Sequence, residues 1–520
     1  MKSRTLTCIT AMALFAALLI PVQLAAQQSR YKLVDLGTFG GPNSSVPMTF
    51  FEINGSAGDQ VLSSQGIVTG TADSSTPDPL CFFDDCFFPN AFKWRSGVLT
   101  NLGALPGSQW SSTNWISGNG LIAGISQNGE TDAITGTPEG RAVLWQGGGI
   151  VDLGTLPGGF ESFAWAVNNG GQVVGIASNT IPDPFSFIYG ILGSSSGTQS
   201  RAFLWTKQNG MQDLGTLGGP DAWPGLVNEQ GQTAGISYTS FTTNPDNAGC
   251  TPPNFPTVDP FFWDRSTGML DIGTFGGTCG VPNALNNRGQ VAGQSYLAGN
   301  LVAHAFLWQK SANPPLKDLG TLGGDNAGAL WLNDAGAVVG YADLPPSPPG
   351  CTGLTCVHHA FLWKNGVITD LGSIGTDPCS RALSINSRGQ IVGLTAAVCG
   401  GAATHGFLWE KGGPMIDLNT LVAPGSGLTL NTPTSINDRG EIAGFGTLAN
   451  GNTHAFVLTP CGKGTEGCGD AAESATAARP TRSAPAFTNS PVVPQHRLAP
   501  SEGVYGWGGR LAQRYQHSRP

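Results

Sequence analysis

Residues 152–219 read DLGTLPGG (152–159), SFAWAVNNGGQVVGIAS (162–178), SRAFLW (200–205) and NGMQ (209–212), then DLGTLGG (213–219), where the pattern begins again. Short apolar, β-branched and aromatic runs alternate with turns carrying Asn and Gly. That is the pattern of strands about four to seven residues long joined by tight turns. Working outward, the opening element recurs at Asp35, Asn101, Asp152, Asp213, Asp271, Asp318, Asp370 and Asp417. The hairpin element ends at Gly70, Gly124, Gly175, Gly235, Gly293, Gly340, Gly393 and Gly444, which number units 1 to 8. The third element, A-F-L-W or a variant, places Trp94, Trp145, Trp205, Trp263, Trp308, Trp363 and Trp409, with Leu458 in the eighth copy.

Each unit reads as four strands. RALSIN (381–386) is a first strand, Ser387-Arg388-Gly389 a turn, and Gln390-Ile391-Val392-Gly393 opens the second. HGFLW (405–409) is the third and MIDL (415–418) the fourth. One such sheet cannot bury both faces alone, and stacked copies can. The fold class is therefore all-β, with four-stranded propeller blades in one domain over residues 31–460. The region opens on a lone fourth strand, YKLVDLG (31–37), and closes on a lone third, HAFVLTP (454–460). Together the fragments complete one blade, so a single eight-bladed β-propeller closed between its N- and C-terminal strands is expected. A parallel β-helix has no reason to begin and end on complementary fragments.

Composition agrees. Charged residues are 11 % of the chain and Gly is 76 of 520, against about 25 % charged and about 7 % Gly in average domains. A formal charge of −9 argues against nucleic acid as a partner. Lys2 and Arg4, the apolar run AMALFAALLI (11–20) and the small residues Ala25 and Ala26 read as a signal peptide over 1–26. The mature chain is expected to be secreted or periplasmic, monomeric and without a membrane span. Residues 461–520, rich in Ala, Pro, Ser, Gly and Arg, read as a disordered tail.

Removing Cys8 with the signal peptide leaves an even ten cysteines, as a disulfide framework requires. Close spacing pairs Cys81 with Cys86, Cys351 with Cys356 and Cys461 with Cys468. Cys379 and Cys399 lie at the open ends of one hairpin and are paired, which leaves Cys250 with Cys279. No closed set of four zinc ligands is apparent, and no metal or cofactor is expected.

The DLGTLGG, N-x-x-G-Q-V-V-G and H-A-F-L-W signatures resemble those of the HAF family of extracellular bacterial repeat proteins, over residues 31–460. The resemblance implies export and a propeller-like fold and transfers no catalytic residue. The His of H-A-F-L-W stands only at His304, His359, His405 and His454, with Asn90, Arg141, Arg201 and Asp259 in its place elsewhere.

Residues common to all units are explained by the blade itself. The Asp of DLGT is expected to bond a backbone turn or the His/Arg position of a neighbouring strand. Candidate ligand residues are those that break the repeat. Trp110, Trp115, Trp165, Trp223 and Trp331 lie near first strands and could stack on sugars or grip a peptide, or simply fill the space between blades. Asp84 and Asp85 could bind Ca²⁺ or simply form a solvated turn. Gly193-Ser194-Ser195-Ser196-Gly197 matches G-x-S-x-G without the strand-turn-helix setting that motif needs. The spacing from the hairpin Gly to the Ala of A-F-L-W is 21, 18, 27, 25, 12, 20, 13 and 11, while the turns of the opposite rim keep nearly constant length. That places recognition on the variable rim, with loops 71–90, 176–200 and 236–259 dominant. The expected function is non-enzymatic binding or scaffolding, with a polysaccharide or extracellular protein as partner. The alternative is a propeller-fold polysaccharide hydrolase or lyase.

Overall fold

Unit 3 shows how the repeat folds. Ser162–Val167, Val173–Pro182, Thr198–Thr206 and Gly210–Asp213 pair antiparallel in chain order. The computed structural model describes residues 30–49, 57–58, 60–79, 86–194, 196–245, 254–346, 353–462, 468, 473–474 and 476–477. Among them the strands form mostly four-stranded sheets in this same order, together with one two-stranded pair. The longest sheet consists of two such sets joined by one bridge, Val258 to Cys279. The α-helix Phe187–Ile191 is five residues long.

Two glycines of the repeat are fixed by geometry. The turn Gly three residues after the Asn position has φ between +70° and +93° in units 1 to 8, for example Gly171 at +72° and Gly389 at +78°. A side chain there would be strained. The second-strand Gly is required by space. A β-bulge interrupts the first strand, as between Ala164 and Ala166 or Ala382 and Ser384. It drives a first-strand carbonyl against the glycine: a Cβ on Gly175 would overlap the Phe163 carbonyl, and one on Gly393 the Arg381 carbonyl. The Phe of A-F-L-W closes the other side. Phe92, Phe203, Phe306, Phe361, Phe407 and Phe456 are fully buried.

The Asn before each turn serves two units at once. Asn228 Oδ1 accepts from the N–H groups of Gln230 (3.1 Å) and Gln232 (3.0 Å), holding its own turn. Its Nδ2 donates to the backbone carbonyl of Asn286 in the next unit at 3.0 Å. The same link runs from Asn168 to Asn228, Asn286 to Asn333, Asn333 to Asn386 and Asn386 to Asn437. Serines add a second tie: Ser111, Ser162 and Ser380 Oγ accept from the N–H of Ala91, Ala142 and Ala360 in the preceding unit.

The ends of the repeat region meet. Tyr31–Asp35 pairs antiparallel with Thr453–Pro460, from Tyr31 opposite Pro460 to Asp35 opposite Phe456. The first strand of unit 1 is interrupted. Gly40–Ser45 pairs with Val68–Pro77, the chain then departs, and it returns at the Leu62–Val68 bridge. The excursion carries the pair Met48–Thr49 and Ala57–Gly58, and Ala57–Gly58 lies against the first strands of units 6 and 7. Two short pairings fall in the segment read from sequence as a tail. Glu473–Ser474 runs parallel to Val34 and Asp35, and Thr476–Ala477 parallel to Val98 and Leu99. Fourth strands leave their outer N–H and C=O groups unpaired, which gives an extended chain a place to add.

Candidate functional site

The variable rim has two heights. In units 1 to 4 the second strand stays paired to Pro77, Thr131, Pro182 and Asn244, seven to nine residues past the aligned glycines. In units 5 to 8 it ends at Leu297, Asp343, Ala396 and Leu448, three or four residues past them. At about 3.3 Å per residue, hairpins on one half stand roughly 10–15 Å taller. Ile181 and Phe241, on the tall hairpins of units 3 and 4, are 54 % and 62 % exposed.

The low half carries the histidines. The Asp of DLGT makes an Asx turn throughout: Asp35, Asp318 and Asp370 Oδ1 accept from the N–H two residues on, at 2.7–2.8 Å. This leaves carboxylate capacity for the neighbouring third strand. His304 Nδ1 lies 2.7 Å from Asp318, His359 3.0 Å from Asp370 and His454 2.9 Å from Asp35. His405 instead meets Asp377 at 3.0 Å, with Asp417 at 4.0 Å. The hydrogen bond to Asp318 raises the pKa of His304 above its ordinary value. Asp318, despite burial, is lowered by His304 and by the Gly320 N–H. In unit 3, Arg201 takes the position and bonds Asp213 at 3.0 Å. In unit 4 it is Asp259, where burial and then the charge of Asp271 push the carboxyl up to about 6.

The five tryptophans chosen from sequence do not form one exposed ring. Trp110, Trp115 and Trp223 are buried at 2, 7 and 9 % exposure. Trp110, Trp165 and Trp223 belong to one apolar cluster under the tall hairpins, with Trp165 and Trp223 centroids 5.0 Å apart. Phe187 packs between Trp223 and Tyr238 there. Trp115 and Trp331 stack on each other at 6.2 Å. Asp84 and Asp85 lie outside the described residues. Disulfides join Cys379 to Cys399 and Cys461 to Cys468. Cys86, Cys279 and Cys356 are also disulfide-bonded, while Cys81, Cys250 and Cys351 lie outside the described residues.

A set of buried acids escaped the sequence reading. Glu161 and Asp221 stand seven residues before their Asn, where unit 6 has Asn326. Each caps the third strand of the preceding unit. Glu161 Oε2 accepts from the Gly140 N–H at 2.7 Å, Asp221 Oδ1 from Ser200 at 2.8 Å, and Asn326 Oδ1 from Ala303 at 3.0 Å. Burial and a neighbouring carboxylate, Asp132 for Glu161 and Asp183 for Asp221, raise both carboxyls well above the usual range. These buried groups join neighbouring units. The one available signal was an acid directly before a first strand. Among the described residues no group of three or more His, Cys, Asp or Glu side chains could hold a metal ion, and no helix is long and apolar enough to cross a membrane.

No family model and no curated protein matches the chain. Solved structures similar to it include two lactonase-type proteins. One is a gluconolactonase from Xanthomonas campestris, at 9 % identity and a TM-score of 0.26, covering 69 % of this chain and 87 % of that one. The other is assigned as a gluconolactonase, at 10 % identity and a TM-score of 0.25, covering 62 % and 81 %. Likeness at this level carries nothing about activity.

Proposed function

We propose that the chain is an exported protein of the HAF type whose eight four-stranded units close into one propeller, and that it binds a polysaccharide or an extracellular protein without catalysis. Closure is supported by the Tyr31–Asp35 pairing. It is also supported by two bonds that repeat the inter-unit ties between the last unit and the first: Asn437 Nδ2 to the Ser63 carbonyl at 3.0 Å, and the Ala455 N–H to Ser44 Oγ at 3.0 Å. Trp115 and Trp331 come from units four apart, which would face each other across the axis of an eight-membered ring. The disulfides fit an oxidising compartment, and the reading of residues 1–26 as a signal peptide supplies the route.

The observation that carries the binding reading is the two-height rim, whose tall half presents Ile181 and Phe241 to solvent. Apolar side chains held on stiff hairpins suit recognition, because little order is lost when a partner arrives. The mature chain is screened against glycan and extracellular-protein arrays, and the strongest partner is titrated against Ile181→Asp and Phe241→Asp. Weakening with unchanged thermal stability supports the reading. Unchanged affinity for both variants overturns it. The enzymatic alternative draws on Asp259, a carboxyl with a pKa near neutrality of the kind a general acid requires. Polysaccharide cleavage lost in Asp259→Asn would favour it.

A further inference from the structure

The opposite rim carries the N-x-x-G turns and the turns that follow the tryptophans. In units 5 and 7 a side-chain amide ties these two turns together. Gln290 Nε2 donates to Gln309 Oε1 at 3.1 Å, and Gln390 Nε2 donates to Glu410 Oε1. One partner lies four residues after the Asn, and the other directly follows the Trp.

The tie is missing on both sides of one groove. In unit 3, Thr206 follows Trp205, and its hydroxyl is occupied by the Asn209 N–H at 3.1 Å. Gln172 Oε1 accepts from Asn168, and among the described residues its Nε2 donates to no group of the turn after Trp205. In unit 2, Gln146 follows Trp145, but Leu121 stands where its partner amide would be. Between them lies a cleft of about 380 Å³, lined by Gln146, Gln172, Trp205, Lys207, Asn209 and Arg265 among others. The corresponding groove beside Asn333, Lys364 and Arg388 holds about 80 Å³.

The cleft is cationic in an acidic protein. No carboxylate lines it. Lys207 and Arg265 make no ion pair among the described residues. Asp264, next to Arg265, is already taken by Lys310 Nζ at 3.0 Å and by the Ser266 and Thr267 N–H groups. The volume falls in the range of small-ligand sites, about 300–1,000 Å³. Side-chain amides offer both a donor and an acceptor, which matches a sugar hydroxyl. A guanidinium and an ammonium together match a carboxylate or sulfate.

We propose that this cleft binds an anionic sugar unit, with Lys207 and Arg265 on its carboxylate or sulfate and Gln146 and Gln172 on its hydroxyls. The site lies on the rim that the proposed function does not use, and the two stand or fall separately.

The full mature chain is titrated calorimetrically with trigalacturonate, with a sulfated disaccharide and with neutral cellotriose. At least one anionic probe should bind, with the neutral sugar about tenfold weaker or worse, the effect of losing a charge-assisted contact. Lys207→Ala with Arg265→Ala should weaken the anionic probe by at least about tenfold. Thr206→Gln keeps both charges but lets Gln172 find its tie, so it should also weaken binding. Lys364→Ala in the narrow groove, and shortening of the tall hairpins, should leave affinity unchanged. Three results would each overturn the proposal: no anionic binding at millimolar probe, equal affinity for the neutral sugar, or binding that survives the Lys207/Arg265 change. Binding lost only when the hairpins are shortened would also overturn it, while supporting the rim opposite.

Discussion

Replacing Asn386 by Ala removes four hydrogen bonds at a residue that is 4 % exposed. Oδ1 accepts from the N–H groups of Arg388 and Gln390, both at 3.0 Å. Nδ2 donates to Gln390 Oε1 at 2.8 Å and to the Asn437 carbonyl, in the next unit, at 3.0 Å. Arg388 lies in an exposed turn, so its N–H regains water. The Asn437 carbonyl sits between units and is not readily rehydrated. A surface hydrogen bond contributes about 0.5–1.5 kcal/mol, and a buried group left unpaired costs about 1–3 kcal/mol. The loss is therefore expected to be about 2–4 kcal/mol. Asn386→Asp separates the two roles. A carboxylate still accepts from both turn N–H groups, but it cannot donate to the Asn437 carbonyl and sets a negative charge against it. Asp should therefore lose at least half of what Ala loses. The assay is guanidinium unfolding, read as a shift of midpoint at constant slope. If Asp matches the native chain, the donor between units contributes nothing, and the chain of asparagines does not hold the units together. A loss below about 0.5 kcal/mol for Ala would refute the reasoning as a whole.

Asp259→His should restore the pair that His304 and Asp318 make, removing two facing acids. Thermal stability should rise at pH 7 and not at pH 4, because a carboxyl whose pKa is raised to about 6 gives its full stability only below its ordinary value. The His304–Asp318 pair joins a raised His to a lowered Asp, so it stabilises between about pH 4 and 6.5 and fades outside that window. Asp318 is 42 % exposed, so His304→Ala should flatten that window by only about 0.5 kcal/mol. Glu161→Gln keeps the acceptor for the Gly140 N–H and abolishes ionisation, so its advantage in melting temperature over the native chain should widen from pH 5 to pH 9. Cys379→Ala with Cys399→Ser opens a loop of 20 residues and should cost about 3 kcal/mol on the loop-entropy account, measured by chemical unfolding.

What could be read from the sequence was local. The bond from Asp35 to the Gly37 N–H spans two residues, and the bonds from Asn386 to Arg388 and Gln390 span two and four. Such contacts repeat wherever the motif repeats, so the strands and turns of each unit were visible in advance. What could not be read depended on distances between units. Glu161 bonds a residue 21 positions earlier in another sheet, and nothing in its own neighbourhood says so. Trp115 and Trp331 look like spare aromatics until the fold brings them together. The tryptophans near the first strands stand out as candidate ligand contacts because they break the repeat. Trp110, Trp165 and Trp223 break it because the tall hairpins need a larger apolar footing, seen in their cluster with Phe187 and Tyr238.

Hairpin height also explains where the histidines stand. In units 5 to 8 the third strand begins at Ala303, His358, His405 and Thr453, so His304, His359, His405 and His454 are its first or second residue. They sit at the mouth of a short loop, with side chains 17–33 % exposed. In units 1 to 4 the third strand begins earlier, at Phe87, Pro138, Thr198 and Phe255. The same position then lies three or four residues inside the strand, walled by the hairpin above it. A residue there needs a partner close by. Arg141 finds Glu139 at 2.7 Å, Arg201 finds Asp213 and the Pro220 carbonyl, and Asn90 finds Asn101. Asp259 is pushed up by burial first and then by the charge of Asp271. The two halves of the rim therefore offer different chemistry to whatever rests on them. The low half offers imidazoles paired with carboxylates, beside the exposed Leu301 and Val398, and the tall half offers apolar tips carried on longer hairpins. A partner whose affinity falls in His304→Ala or His359→Ala touches the low half. A partner indifferent to those changes but sensitive to Phe241→Asp touches the tall one.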